Sequence, residues 1–267
     1  MQIPIYQVDA FSTVPFSGNP AAVCPLDAWL PKEYLQAIAQ ENCLSETAFF
    51  VARDHSGEYD LRWFTPNQEV DLCGHATLAT SHVLFQELGV DEPMLHFHTK
   101  SGELIVRKLN QGYEMDFPAV PTSMFFQPLD LPTLIGVEGR VIGRAMDVLV
   151  RVESEADVRA LKPNMAAIAT VPARGLIVTA PGDDEGVDFV SRFFAPQAGV
   201  PEDPVTGSAH CTLAPYWAKE LGKNSFFAQQ IGPRGGELHI RLEGTHVLLM
   251  GQAVTVIKGH IYLPDSL

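Results

Sequence analysis

A chain of 267 residues with 46% hydrophobic side chains is long enough for one large or two small domains and apolar enough for a packed interior, which excludes disorder as its main state. Eighteen Lys and Arg against 32 Asp and Glu leave a net charge of −14 with no basic cluster to offset it, so neither nucleic acid nor an anionic membrane is an expected partner. The first residues lack a basic stretch followed by an apolar one, no run of about 18 apolar residues occurs, and Cys24, Cys43, Cys73 and Cys211 show no CxxC spacing; the expectation is a cytoplasmic protein without disulfides.

In chain order, Pro31 at a first turn predicts a helix over 31–40. The β-rich run 59–64 is stopped by Pro66, which cannot donate to a ladder. Residues 75–88 carry apolar positions at helical spacing with few charges and end at Gly89, the pattern of a buried helix with a left-handed cap. Short alternating runs over 93–117, broken at Gly112, read as strands. Proline-rich segments at 117–121 and 130–132 place a boundary near 122, giving halves 1–122 and 123–267 with the final strand free to cross back to the first half. Ser154 predicts the N-cap of a helix over 154–161. A second β-rich run, 187–194, is stopped by Pro196, and a helix over about 208–221 ends at Gly222. Pro215 is tolerable inside that helix only if it kinks it or the first turn starts late. Residues 226–257 again alternate as strands, broken at Gly244.

These elements repeat. Arg62-Trp63-Phe64-Thr65-Pro66 recurs 130 residues on as Arg192-Phe193-Phe194-Ala195-Pro196. Gly74-His75-Ala76, closing at Glu87-Leu88-Gly89, recurs at an offset of 133 as Gly207-Ser208-Ala209, closing at Glu220-Leu221-Gly222. Gly102-Glu103-Leu104 recurs as Gly236-Glu237-Leu238. Three matches in one order at nearly one offset point to a duplicated unit, a sheet wrapped around one apolar helix.

A duplicated chain tends to place its site where equivalent loops face one another, here the glycine-containing loops before the two helices. Free N–H groups at a helix start bind a carboxylate, so backbone near Gly74, His75, Gly207 and Ser208 could clamp a small acid with no arginine required. Glu46 opens an apolar run and is a candidate general base, although a Glu at a strand start is ordinarily a surface residue. His75 and Ser208 occupy equivalent first-turn positions, where capping is the commoner role, and Asp203 sits in a Glu-Asp-Pro turn. His82, His210, His239 and His246 match no ligand spacing, so no metal is indicated, and no GxGxxG or phosphate-binding glycine loop occurs.

Gly18-Asn19-Pro20-Ala21-Ala22-Val23, Leu44-Ser45-Glu46-Thr47, Arg62 to Pro66, Asp71-Leu72-Cys73-Gly74-His75-Ala76-Thr77 and Glu202-Asp203-Pro204-Val205-Thr206-Gly207-Ser208-Ala209 together resemble the PhzF-type phenazine-biosynthesis isomerase family across nearly the whole chain. The resemblance implies an α+β fold of the diaminopimelate-epimerase-like type, two pseudo-symmetric halves each wrapping a sheet around a central helix. It further implies a cofactor-free isomerase acting on a small carboxylic acid, with homodimeric relatives. Carried over, Glu46 becomes the acid/base that moves a proton between carbons, with His75, Asp203 and Ser208 as its polar companions across a cleft. Gly18, Asn19, Cys73, Gly74, Thr206 and Gly207, in the same motifs, become candidates for substrate binding. Cys73 stands where racemases of the wider fold carry one of two catalytic cysteines, which leaves an amino-acid racemase or epimerase as an alternative; a small-acid binder without catalysis is a further one. Two-base racemisation needs a base on each face of the stereocentre, and the second half offers Asp203 and no cysteine there.

Overall fold

The computed structural model describes residues 1–264 and divides into two compact units, one of Met1–Asp116 with Met250–Leu267 and one of Phe117–Leu249. The break thus falls a few residues before the expected position near 122. No helix among the described residues is long and apolar enough to cross a membrane.

In the first unit the chain runs β1 (Gln2–Ala10), β2 (Asn19–Leu26), α1 (Lys32–Asn42), β3 (Glu46–Ala52), β4 (Glu58–Phe64), β5 (Glu69–Val70), α2 (Gly74–His82), β6 (Met94–Thr99), β7 (Gly102–Lys108) and β8 (Tyr113–Pro118). The second unit follows with α3 (Leu131–Ile135), β9 (Arg140–Arg144), β10 (Val148–Arg151), α4 (Glu155–Ala160), α5 (Met165–Ile168), β11 (Leu176–Pro181), β12 (Phe189–Ala195), β13 (Val200–Asp203), α6 (Gly207–Leu221), β14 (Ser225–Gln230), β15 (Gly236–Glu243) and β16 (His246–Gly251). The last strand, β17 (Ala253–Tyr262), belongs to the first unit, where it pairs antiparallel with β1 from Gln2↔Tyr262 to Ala10↔Ala253.

The duplication extends to strand pairing. In the first unit β1 is antiparallel to β2, β2 parallel to β3, β3 antiparallel to β4, β4 parallel to β6 and β6 antiparallel to β7. The second unit repeats this sequence of orientations through β9, β10, β11, β12, β14 and β15. An arginine–carboxylate pair repeats too. Arg62 Nε lies 2.8 Å from Glu69 Oε1 with its guanidinium over Phe64, and Arg192 Nε lies 2.7 Å from Glu202 Oε1 with its guanidinium over Phe194. The three residues that the second repeat adds fall in this loop, where Pro196–Ala198 form one 3₁₀ turn closed by Gly199 in the left-handed region.

Each unit centres on one helix. From His75 to His82 every residue of α2 is buried, and its hydroxyls must therefore be satisfied internally. Thr77, Thr80 and Ser81 donate to the carbonyls of Cys73, Ala76 and Thr77, four residues back, at 2.6, 2.7 and 2.9 Å. The expected helix over 75–88 continues past His82 as a π-helical turn, Val83–Glu87. In α6 the sequence allowed Pro215 only with a kink or a late start. The helix starts at Gly207 and runs through Pro215 to Leu221. The Cys211 carbonyl, which a residue other than proline at 215 would engage, instead accepts the Val120 N–H at 2.9 Å. The α4 start carries a full capping box between Ser154 and Asp157.

Apolar packing outside the central helices is separate in each unit. In the first, Ile3, Cys24, Leu35, Ile38, Phe49 and Phe64 join α1 to the sheet, with the Phe49 and Phe64 rings edge-to-face at 5.6 Å. In the second, α3, α4 and α5 pack Leu131, Val158 and Ile168 against Val148, Val178 and Phe194.

Candidate functional site

In the first unit the sequence candidates gather at the start of α2. Cys73 holds the N-cap position in an extended conformation, with no side-chain cap, which leaves its sulfur free for neighbours. Two residues on, His75 turns Nδ1 to within 3.5 Å of Cys73 Sγ and Nε2 to within 3.0 Å of Glu46 Oε2. Glu46 is held there by β3, bonded to β2 in the register Ala21↔Glu46 on one side and to β4 on the other. Its side chain is only 13% exposed, so the surface reading of a strand-start Glu does not hold.

Burial on its own would lower the pKa of His75, but the Cys73 and Glu46 side chains outweigh it and hold the imidazole well above the usual histidine value. The Cys73 thiol goes the other way. Burial, and then the Glu46 charge, push it up to about 11 against the opposing pull of His75, so it is a neutral thiol at pH 7. The cluster therefore carries one carboxylate facing one imidazolium, with an uncharged thiol behind.

Gly18 and Asn19 serve the backbone at the β1–β2 turn. Gly18 sits at φ +71°, and a Cβ there would fall 2.2 Å from the Ala10 carbonyl oxygen. Asn19 is fully buried and pairs with Ala10 in the ladder.

In the second unit, the loop before α6 is tied down from within. Thr206 Oγ1 donates to Asp203 Oδ2 at 2.6 Å, and the Gln230 amide donates to the Asp203 carbonyl while accepting from the Thr206 N–H at 2.9 Å. Gly207 opens the helix, and Ser208, in its first turn, receives a hydrogen bond from Arg174 Nη2 at 2.9 Å. Arg174 in turn grips the fully buried Asp147 through both nitrogens and lies over the Phe193 ring. The sequence reading required no arginine at these helix starts. Arg174 stands at one, and neither it, Asp147 nor Gln230 belongs to a spaced motif that would have exposed them.

The repeat shows that the cluster at the α2 start is not duplicated. Phe64 corresponds to Phe194, and their ladder partners are Thr47 and Leu176, so Glu46 corresponds to Gly175. A Cβ at Gly175 would lie 2.7 Å from the Phe193 ring and from the Phe194 carbonyl oxygen, leaving no room for a carboxylate. At the offset of the helix starts Cys73 corresponds to Thr206 and His75 to Ser208. Carboxylate, imidazole and thiol are thus all absent from the matching positions of the second unit.

Comparison with known proteins gives one consistent answer. The family model described as phenazine biosynthesis-like protein matches residues 8–259. An uncharacterised isomerase of Pseudomonas aeruginosa is 51% identical over 98% of this chain and its own full length. A crystal structure of a phenazine biosynthesis protein of the PhzF family from Enterococcus faecalis superposes with a TM-score of 0.92 at 43% identity, covering 98% of this chain and 100% of that one. A hydroxyproline epimerase from Agrobacterium vitis shares the fold alone, with a TM-score of 0.61 at 12% identity over 97% of this chain and 91% of its own.

Proposed function

The chain belongs to the phenazine biosynthesis-like, or PhzF, family of isomerases, and on that premise we propose that it moves a proton between carbons of a small carboxylic acid, with Glu46 as the group that takes the proton and returns it. The observation that carries this reading is the pairing of the largely shielded Glu46 with the buried His75, 3.0 Å apart, together with its absence from the matching positions of the other repeat. A single carboxylate acting first as base and then as acid suits transfer from one carbon to another on the same face. The imidazolium beside it keeps the carboxylate oriented and balances its charge. Asp203 and Ser208 are proposed as polar companions in turnover, and the backbone N–H groups near Gly74 and Gly207 as anchors for the substrate carboxylate.

The racemase alternative rests on Cys73. A thiol raised to about 11, with Thr206 at the matching position, is a poor one of two opposed bases. The test is deuterium exchange in D2O into a panel of small carboxylic acids, with the wild type and Glu46→Gln. The wild type is expected to exchange, and Glu46→Gln to lose roughly 10²–10⁴ in rate while still binding the acid. An amide variant that keeps most of the activity overturns the assignment, and a wild type that binds acids without exchange makes the protein a binder.

A further inference from the structure

We propose that the second unit carries a binding site built entirely from its own residues, for a small organic phosphate whose phosphate group is held by Arg140, Lys219 and the Tyr216 hydroxyl. The proposal does not depend on the role assigned to Glu46.

A cleft of about 470 Å³, a volume typical of small-molecule pockets, lies between segment 121–124, β9 and the second half of α6. Backbone hydrogen bonds fix its walls. The Val120 N–H takes the Cys211 carbonyl that Pro215 leaves unengaged, and Ser123 exchanges two backbone hydrogen bonds with Arg144, each at 2.9 Å. Gly143 permits that approach, since a Cβ there would fall 2.4 Å from the Ser123 carbonyl oxygen. The cleft is therefore preformed, and a ligand entering it orders little chain. Val141, Ile142 and Pro215 give its lining an apolar part suited to the carbon portion of a ligand.

The charges point to an anion. Arg140 and Lys219 line the cleft, and Arg151 stands directly opposite Arg140 in the β9–β10 ladder, where like charges repel. With 32 Asp and Glu for 18 Lys and Arg, cations elsewhere such as Arg62, Arg159 and Arg192 sit on carboxylates. Among the described residues Arg140, Arg151 and Lys219 pair with none, and Glu220, the one carboxylate of the lining, pairs with no cation. Arg151 lays the face of its guanidinium on the Trp217 ring at 4.7 Å, while its Nη1 is shielded from solvent and makes no hydrogen bond. Buried donors are ordinarily satisfied, and an oxyanion set over the two arginines would satisfy this one and relieve their repulsion. The Tyr216 hydroxyl is shielded as well, and burial together with the Glu220 charge raises its pKa, so it is a protonated donor at pH 7. Two guanidinium forks, an ammonium and a hydroxyl suit a dianion with three accepting oxygens better than a monocarboxylate.

The experiment titrates phenyl phosphate into the full-length protein by calorimetry, with benzoate and inorganic phosphate as comparisons. One site per chain is expected, with a dissociation constant below about 1 mM, weaker binding of both comparison ligands, and affinity that falls as salt is raised. Arg140→Gln and Lys219→Gln should each weaken binding more than about tenfold. Both side chains are exposed, so the fold is kept, which an unchanged thermal midpoint checks. Tyr216→Phe, which keeps the ring and removes the donor, should weaken binding as well. Lys108→Gln, at an exposed lysine of the first unit, should bind as the wild type does. Binding that survives the Arg140→Gln, Lys219→Gln double variant, an equal loss in Lys108→Gln, or no binding at millimolar phenyl phosphate overturns the site. Benzoate binding as tightly as phenyl phosphate overturns the assignment to a phosphate.

Discussion

Alkylation of Cys73 gives the sharpest reading of the chemistry at the α2 start. Only the thiolate reacts, so the rate follows its population. With a pKa of about 11, roughly 0.03% of Cys73 is thiolate at pH 7.5, against roughly 9% for a free cysteine near 8.5. Iodoacetamide should therefore modify Cys73 about 300-fold more slowly than a model peptide thiol, with the exposed Cys43 modified well before it. Peptide mass spectrometry over time resolves the two sites. Restricted access would also slow the reaction, but it would do so equally at every pH. A thiol limited by ionisation gains about tenfold per pH unit up to pH 10. Because the Glu46 charge contributes to the raised value, Glu46→Gln should speed the reaction at fixed pH. Modification of Cys73 within tenfold of the model peptide at pH 7.5 would show a thiolate stabilised by His75, refute the neutral-thiol argument and restore the two-base reading.

Three further outcomes follow from residues around the two central helices. His210 is buried with Nδ1 on the Thr206 carbonyl at 2.8 Å, and burial lowers its pKa to about 4. The unfolded state then binds the proton first, so its contribution is complete above about pH 6.5 and is lost as pH falls toward 4, by up to about 3 kcal/mol. Urea midpoints at pH 7 and pH 5 should separate, and the separation should shrink in His210→Gln. Arg174→Met leaves the fully buried Asp147 carboxylate without its bidentate partner and should cost about 3–5 kcal/mol in denaturant unfolding; a loss below 1 kcal/mol contradicts that pairing. Gly18→Ala puts a methyl 2.2 Å from the Ala10 carbonyl oxygen at a positive φ, and should lower stability by at least about 1–3 kcal/mol, measured as a shift in thermal midpoint.

The duplication was legible because it is written in local signals: a proline that ends each strand, a glycine that ends each helix and an arginine that reaches back to its carboxylate. Those signals need no knowledge of the partner strand. Ser154 likewise announces its helix through side chains three residues apart. What failed depends on contacts distant in sequence. The tolerance of Pro215 comes from the Val120 N–H, which no reading of residues 207–221 contains. The surface prior for Glu46 loses to an imidazole brought from a helix after two intervening strands. Arg174 escaped notice for the same reason: its partners, Asp147 and Ser208, lie far away on either side. The family motifs singled out Glu46, His75, Asp203 and Ser208 as candidates, but only the ladder register identified Gly175 as the counterpart of Glu46 and so explained why the second repeat holds no carboxylate at that position.

The pairing of β1 with β17 also dictates an order of events during synthesis. A nascent chain that has emerged as far as residue 249 contains the whole of the second unit, which is continuous, while the first still lacks the strand bonded to β1. The unit translated first must therefore be completed last, by the strand pairing of longest sequence separation among the described residues. Until then β1 presents an unpaired edge, the kind of surface that chaperones shield and that neighbouring chains can join. The same pairing sets the Met1 amino group on the Leu263 carbonyl at 3.0 Å. Joining residue 1 to residue 263 by a short linker and opening the chain at an exposed turn elsewhere would let β1 and β17 emerge together, and would turn the slowest closure into a local one.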